Sequence, residues 1–318
     1  MIHRASRPRQ AAVGIVLDLA LGEPPAALPH PVALFGSLMV GVEDRLYRDS
    51  RGAGGAHAAV GVTVGALVGF TAHSTAATTY VAVAGRLLHR TALDLAAALD
   101  AGDLDRARAG LPALAGRDAT NLDEPELARA VVESVAENTV DAVVAPALWA
   151  TVLGGAGALG YRAGNTLDSM VGHRSDRYRR YGWASARLDD AANWLPARAT
   201  AALVAAVRPL QAADVWRTVR RDAPAHPSPN AGVAEGAFAA ALGLRLGGVN
   251  RYGDRVEDRA PLGRGRPPDR HDIHHAVRLS RDVSLALAAA LSAIPPLQRR
   301  LIPSKDHGRR GTANHPGA

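Results

Sequence analysis

The chain has 318 residues, room for one large domain or two small ones, and a formal net charge of +7 carried almost wholly by arginine, Lys305 being the single lysine. Aromatics make up 4% and are not interleaved with basic clusters, so the arginine excess reads as solvated surface, with anionic lipid or phosphorylated small substrates as partners in place of nucleic acid. One lysine in a polar tail excludes a Walker A loop and a Schiff-base mechanism, and zero cysteines exclude thiol nucleophiles, iron–sulfur clusters, Cys-ligated zinc and disulfides.

Arg4, Arg7 and Arg9 precede an apolar segment at 11–21 in the manner of a secretion signal. Asp18 interrupts its middle and no clean cleavage site follows, so a retained first helix is expected. Positions 52–85 contain no Asp, Glu, Lys or Arg, only His57 and His73, a run longer than the roughly 20 residues of a bilayer span. Segment 142–161 is a second uncharged stretch, 283–298 a shorter third, and 199–207 is short and Ala-rich. Buried helices of a soluble protein are the competing explanation; the length of the uncharged run favours a membrane protein. Between these segments, 87–109 sets Leu88, Leu95, Leu99 and Ala107 among charges, the pattern of an amphipathic surface helix. The stretch Asn121-Leu-Asp-Glu-Pro125 reads as a turn and cap before a further helix, with Pro125 near its first position. The glycines of 154–160 loosen or break the end of the second uncharged stretch. Residues 251–272, rich in Arg, Asp, Gly and Pro, read as a mobile loop, and 304–318 as a disordered tail. No alternation is long enough for a sheet, and no internal repeat is present.

Four polar clusters stand out from the Ala/Val/Leu background. On a helix Glu133, Glu137 and Asp141 fall at i, i+4 and i+8, three carboxylates on one face with no Lys or Arg between Arg129 and Arg162. Acids on a helix are usually a wet face, but this stripe runs into one of the most apolar stretches of the chain. Tyr161, Asn165 and Asp168 repeat at i, i+4 and i+7, and Asp189 and Asp190 stand one turn before Asn193, beside Arg187. His226-Pro-Ser228-Pro-Asn230 cannot be helical, because each proline breaks the ladder, and reads as a rigid loop. His271, His274 and His275 have a spacing that chelates metal, but a polar helix start after a proline loop accounts for them more simply.

These clusters carry a resemblance. Glu133-Ser-Val-Ala-Glu-Asn-Thr-Val-Asp141, Tyr161-Arg-Ala-Gly-Asn-Thr-Leu-Asp-Ser-Met-Val-Gly172, Ser185-Ala-Arg-Leu-Asp-Asp-Ala-Ala-Asn-Trp194 and His226-Pro-Ser-Pro-Asn-Ala-Gly232 resemble the CobD/CbiB family of cobalamin biosynthesis (adenosylcobinamide-phosphate synthase). Asp18-Leu-Ala-Leu-Gly-Glu-Pro24, Leu28-Pro-His-Pro-Val32 and Gly116-Arg-Asp118 extend the match over roughly 11–300. Two departures stand out: Glu23 where the family usually has Asp, with the carboxylate kept, and Ala142 where Gly is usual.

The resemblance implies an all-α, polytopic integral protein of the cell membrane, with four or five hydrophobic helices joined by helical polar loops. It implies one domain over 1–303, followed by the tail. It also implies a ligase that joins the carboxylate of (adenosyl)cobyric acid to the amine of aminopropanol or its O-phosphate, giving cobinamide or its phosphate. An amide does not form spontaneously from a carboxylate and an ammonium, so ATP as co-substrate and Mg²⁺ are expected, together with a general base. The roles expected are Asp189 and Asp190 for metal, Arg187 and Arg174 for phosphate oxygens, and Glu137 or Glu133 as base, with Asp141 and Asp168 in the catalytic group. Asn138, Asn165, Asn193, His226, Ser228 and Asn230 are expected to hold substrate. Partners would be the substrates, membrane lipid and other corrinoid-pathway membrane proteins. Two readings from other classes compete: a non-catalytic AmpE-like membrane sensor, which would not need the clustered acids, and a transporter, which would place Glu133, Glu137 and Asp141 inside a span instead of before one. One difficulty is internal. If 142–161 crosses a membrane once, the acidic helix and the Asp189 cluster face opposite sides; a broken element lining a cavity resolves this, and Pro146 and the glycines permit it.

Overall fold

The computed structural model describes residues 6–22, 30–173, 175–252 and 255–295. The expectations for Glu23, Pro24, Leu28, Arg174 and the tail fall outside these residues. In chain order the helices are α1 (Arg7–Leu21), α2 (Pro31–Leu46), α3 (Arg51–Thr71), α4 (Thr75–Ala82), α5 (Gly85–Asp100), α6 (Leu104–Gly110) and α7 (Glu124–Thr139). A π-helical turn at Val140–Val144 joins α7 to α8 (Ala145–Leu153), followed by α9 (Gly155–Val171), α10 (Tyr178–Tyr181), α11 (Trp183–Val207), α12 (Ala212–Asp222) and α13 (Ala231–Leu242). Strands β1 (Leu246–Tyr252) and β2 (Arg255–Leu262) precede α14 (Arg270–Ala293). The fold is predominantly helical, as expected.

The core is built from small side chains. Ala92, Ala96, Val131, Val135, Ala276 and Leu279 are almost wholly excluded from solvent where α5, α7 and α14 meet. Helix α1 joins this core through Ala11, Ala12 and Ile15, while its other side leaves Val13 and Val16 exposed. Small residues let backbones approach closely, and α3 against α9 is the extreme case. A Cβ on Gly65 would come within 2.6 Å of the Leu159 carbonyl, and one on Gly69 would overlap the Gly155 carbonyl.

The uncharged run 52–85 is two helices rather than one. The chain turns at His73, whose φ of 53° is unusual for a side chain of that size, and α4 begins with Ser74 as its cap. Helix α3 is the only one, among the described residues, long and apolar enough to cross a membrane; Leu67, Val68 and Phe70 face outward from it. The stretch 142–161 does not run through. At Gly154, φ 66°, it folds back so that α8 and α9 pack as a helical hairpin. Segments 199–207 and 283–293 are the ends of α11 and α14.

Two prolines shape this region. Pro146 has no N–H for the Ala142 carbonyl; the backbone widens into the π turn there, and the Ala84 N–H takes that carbonyl at 2.9 Å. Pro196 inside α11 likewise leaves the Ala192 carbonyl unpaired, and the Trp149 indole N–H takes it at 3.1 Å.

Three sequence expectations need correction. Segment 87–109 is α5 and α6, broken at Gly102, and its apolar face packs into the core. The expectation of no sheet fails: β1 and β2 pair antiparallel, Leu246 opposite Leu262 and Gly248 opposite Arg259, with a bulge between. Residues 255–262 are therefore strand rather than mobile loop, and 270–272 already belong to α14, which starts on a capping box between Asp269 and Asp272. That helix start accounts for the position of His271, His274 and His275.

Candidate active site

The acidic stripe separates into two functions. Helix α7 begins on the capping box between Asp123 and Glu126, with Pro125 in its first turn. Two turns on, Glu133 is 1% exposed and both of its oxygens are taken: Arg117 Nη2 donates at 2.8 Å, the Gly247 N–H at 2.9 Å, and Arg129 lies 3.5 Å away. Arg129 also donates to the Val249 carbonyl, and Arg117 to Asn250. Glu133 thus clamps the β-hairpin onto α7. The stripe does have counterions, one from the turn before it and one from a distant loop, and a carboxylate so saturated is no base.

Glu137 and Asp141 face a different environment. The second arm of the helical hairpin, α9, brings Asn165 and Asp168 opposite them, α11 brings Asp189 near Asp141, and Arg117 and Arg259 close one side of a recess of about 260 Å³. Beneath it a narrow extension of about 20 Å³ reaches Asp189, Asn193, Ser228 and Asn230. Asn165 Nδ2 and Asn193 Nδ2 donate to Asp189 at 3.2 and 3.0 Å, and Tyr161 donates to Asn193 at 2.8 Å. All four polar clusters therefore meet, which a span through 142–161 would forbid.

Four acids in one enclosure repel one another. Glu137 lines the recess with an exposed side chain; desolvation by the surrounding protein pushes its carboxyl up, opposed by Arg259 and Arg117 and reinforced by Glu133. Burial raises Asp141 well above the usual carboxylate range, and Asp189, Glu137 and Asp168 add to this. Burial and then Asp189 and Asp190 lift Asp168 to about 7. Asp189 is lifted by burial to about 6, against the pull of its two Asn donors.

Asp189 and Asp190 line different cavities. Adjacent residues on a helix point about 100° apart. Asp190 instead lines a second cavity of about 730 Å³ with Arg179, Arg187, Arg198 and His226, although its charge still reaches Asp168. The expected rigid loop forms its wall: His226 Nδ1 pairs with the Ser228 backbone at 3.1 Å, and Ser228 Oγ accepts the Asn230 and Ala231 N–H groups at the start of α13. Asn230 Nδ2 donates to the Asp190 carbonyl at 2.8 Å and Arg198 to Asn230 at 3.2 Å, tying loop to α11. A third, mostly apolar cavity of about 1020 Å³ lies between α2, α5 and α9 and reaches Asn138 and Arg162 at the recess.

Among the described residues no three His, Asp or Glu side chains enclose a metal by themselves. Asp141, Asp168 and Asp189 nevertheless offer hard oxygen donors and surplus negative charge, a donor set of the kind that holds Mg²⁺ through one or two carboxylates, water and substrate phosphates. Sequence reasoning missed Arg259, Asn250 and Glu235. Arg259 and Asn250 sit in the hairpin that the sequence reading did not find, and Glu235 is a single acid in an apolar helix.

The family model for CobD/Cbib protein matches residues 11–280. The chain belongs to that family. It is 48% identical over 303 residues to cobalamin biosynthesis protein CobD of Mycobacterium tuberculosis, covering 91% of this chain and 95% of the relative. Proteins of the same name from Rhodobacter capsulatus (42% over 281 residues, 81% and 87% covered) and Pelobacter propionicus (39% over 312 residues, 92% and 96% covered) are also similar. No solved structure matches.

Proposed function

We propose that this chain acts in cobalamin biosynthesis as an amide-forming ligase of the membrane, joining the carboxylate of (adenosyl)cobyric acid to aminopropanol or its O-phosphate. The observation that carries this reading is the convergence of Glu137, Asp141, Asn165, Asp168, Asp189 and Asn230 on one recess flanked by an arginine-lined cavity and an apolar one. Relatives named for cobalamin biosynthesis support the pathway.

In this reading Glu137 is the base. Its raised affinity for protons suits it to accept one from the substrate ammonium, leaving the amine's lone pair free to attack the activated carboxyl carbon, from which the C–O bond to the phosphate or nucleotide supplied by ATP breaks and that group leaves. One or two of Asp141, Asp168 and Asp189, together with water and substrate phosphates, would hold Mg²⁺, which would screen phosphate charge and polarise the activated group. Arg187 and Arg198 take anionic oxygens in the second cavity. Asn138 stands where the apolar cavity meets the recess, suited to the amide rim of a corrinoid.

Membranes carrying the chain, given cobyric acid, aminopropanol phosphate, ATP and Mg²⁺, should form cobinamide phosphate, and a host blocked at this step should regain cobalamin synthesis. A host that still grows only on supplied cobinamide would replace the ligase with the AmpE-like sensor.

A further inference from the structure

One buried acid has no place in that chemistry. Glu235 stands midway along α13 among Ala, Gly, Val and Phe, is 0% exposed, and neither of its oxygens accepts a hydrogen bond. A carboxylate in that setting is costly whether charged or neutral, and an alanine or leucine would pack there without the cost. Among the described residues, His226 Nε2 lies 3.8 Å from Glu235 and Arg259 Nη1 3.9 Å. His226 Nε2 is itself buried without a hydrogen-bond partner. The two groups belong to opposite walls: His226 lines the arginine-lined cavity, and Arg259, held also by Glu257, lines the carboxylate recess beside Glu137.

We infer that Glu235 is a positioning residue, standing behind both His226 and Arg259 and fixing the loop 226–230 and strand β2 relative to each other so that the two cavities act as one site. Glu235 touches no reacting atom; it acts through Arg259 on the group beside Glu137 and through His226 on the cavity that takes the amine's anionic end. The inference rests on the ligase reading for its kinetic consequence, but not for its structural one.

The experiment uses full-length protein in detergent. Glu235→Gln keeps side-chain shape while removing the carboxyl group that faces Arg259 and His226; Glu235→Asp keeps a carboxyl group on a shorter arm. Hydrogen exchange is read at 226–230 and 257–262, and kcat and KM are read for both substrates. Glu235→Gln should raise exchange in both segments at least several-fold, leave the melting temperature equal or higher, and lower kcat about tenfold or more with each KM within about twofold. Glu235→Asp should recover part of the kcat. Arg259→Lys combined with Glu235→Gln should cost no more than the greater of the two singles. Wild-type exchange in both segments of Glu235→Gln, or a kcat loss matched by loss of folded protein, would overturn the inference. If the wild type shows no ligase activity, the functional reading fails while the exchange result still decides the role of Glu235.

Discussion

At the scale of single residues, three carboxylates spaced four apart along one helix have different roles, and substitution should separate them. Glu137→Gln removes the proposed base and should lower activity by about two to four orders of magnitude with normal folding, measured by product formation against the melting curve. Glu133→Gln breaks a buried pair and should instead cost about 3–5 kcal/mol of stability, with protease cutting in the hairpin, whether or not the assay detects catalysis. Asp189→Asn should impair Mg²⁺-dependent turnover more than Asp190→Asn, since only Asp189 reaches the narrow extension shared with Asp141. Glu126, outside the stripe, is a poor control because it closes the capping box of α7; exposed Asp94 on α5 is a better one.

At the scale of elements, prolines and glycines decide where helices stop. Pro146 and Gly154 were readable as breaks, and they turn a presumed crossing into the hairpin of α8 and α9. The bond by which Trp149 satisfies the carbonyl freed by Pro196 has a measurable value: Trp149→Phe keeps the apolar bulk but orphans that carbonyl, and should cost about 1–3 kcal/mol in chemical denaturation. The positions of the four clusters were legible because they are polar departures from an Ala/Val/Leu background, three of them at helical spacing and the fourth marked as a loop by its two prolines. The hairpin was not, for a local reason. Strand β1 opens with Gly247 and Gly248 at φ 88° and 95°, a bulge that no alternation pattern shows, and β2 reads Arg-Val-Glu-Asp-Arg, as polar as a loop. Its stability comes from Arg117, Arg129 and Glu133, more than a hundred residues away, which no window along the sequence can see.

For the whole molecule, clustered acids link stability to pH and cations. Asp168 at about 7 and Asp189 at about 6 bind protons more tightly folded than unfolded. Between the ordinary Asp value near 4 and those values the folded state holds more protons, so the contribution of these groups is fully present below about pH 4 and is lost as pH rises through 6 to 7. Without divalent cation the melting temperature should therefore fall across that window; millimolar Mg²⁺ should restore it at pH 8 and do little at pH 5, and Asp168→Asn should flatten the profile. A melting temperature indifferent to Mg²⁺ at pH 8 would remove the metal from the recess. The exposed Leu67, Val68 and Phe70 of α3, with Leu38 of α2 and Val13 and Val16 of α1, predict fractionation with membranes and release by detergent but not by alkaline carbonate.

The clamp of the hairpin on α7 also orders events on the ribosome. Glu133 meets Arg117 and Arg129 as soon as α7 is made, but Gly247, Asn250 and Arg259 follow roughly 120 residues later, which at about 5–20 residues per second is on the order of ten seconds of synthesis. By the end of that interval the acids of α7, α9 and α11 are all present, with Arg117 but still without Arg259, the stronger of the two arginines that temper Glu137. A nascent chain arrested before residue 246 should therefore remain open at the recess, and the finished site waits for the β-hairpin to emerge.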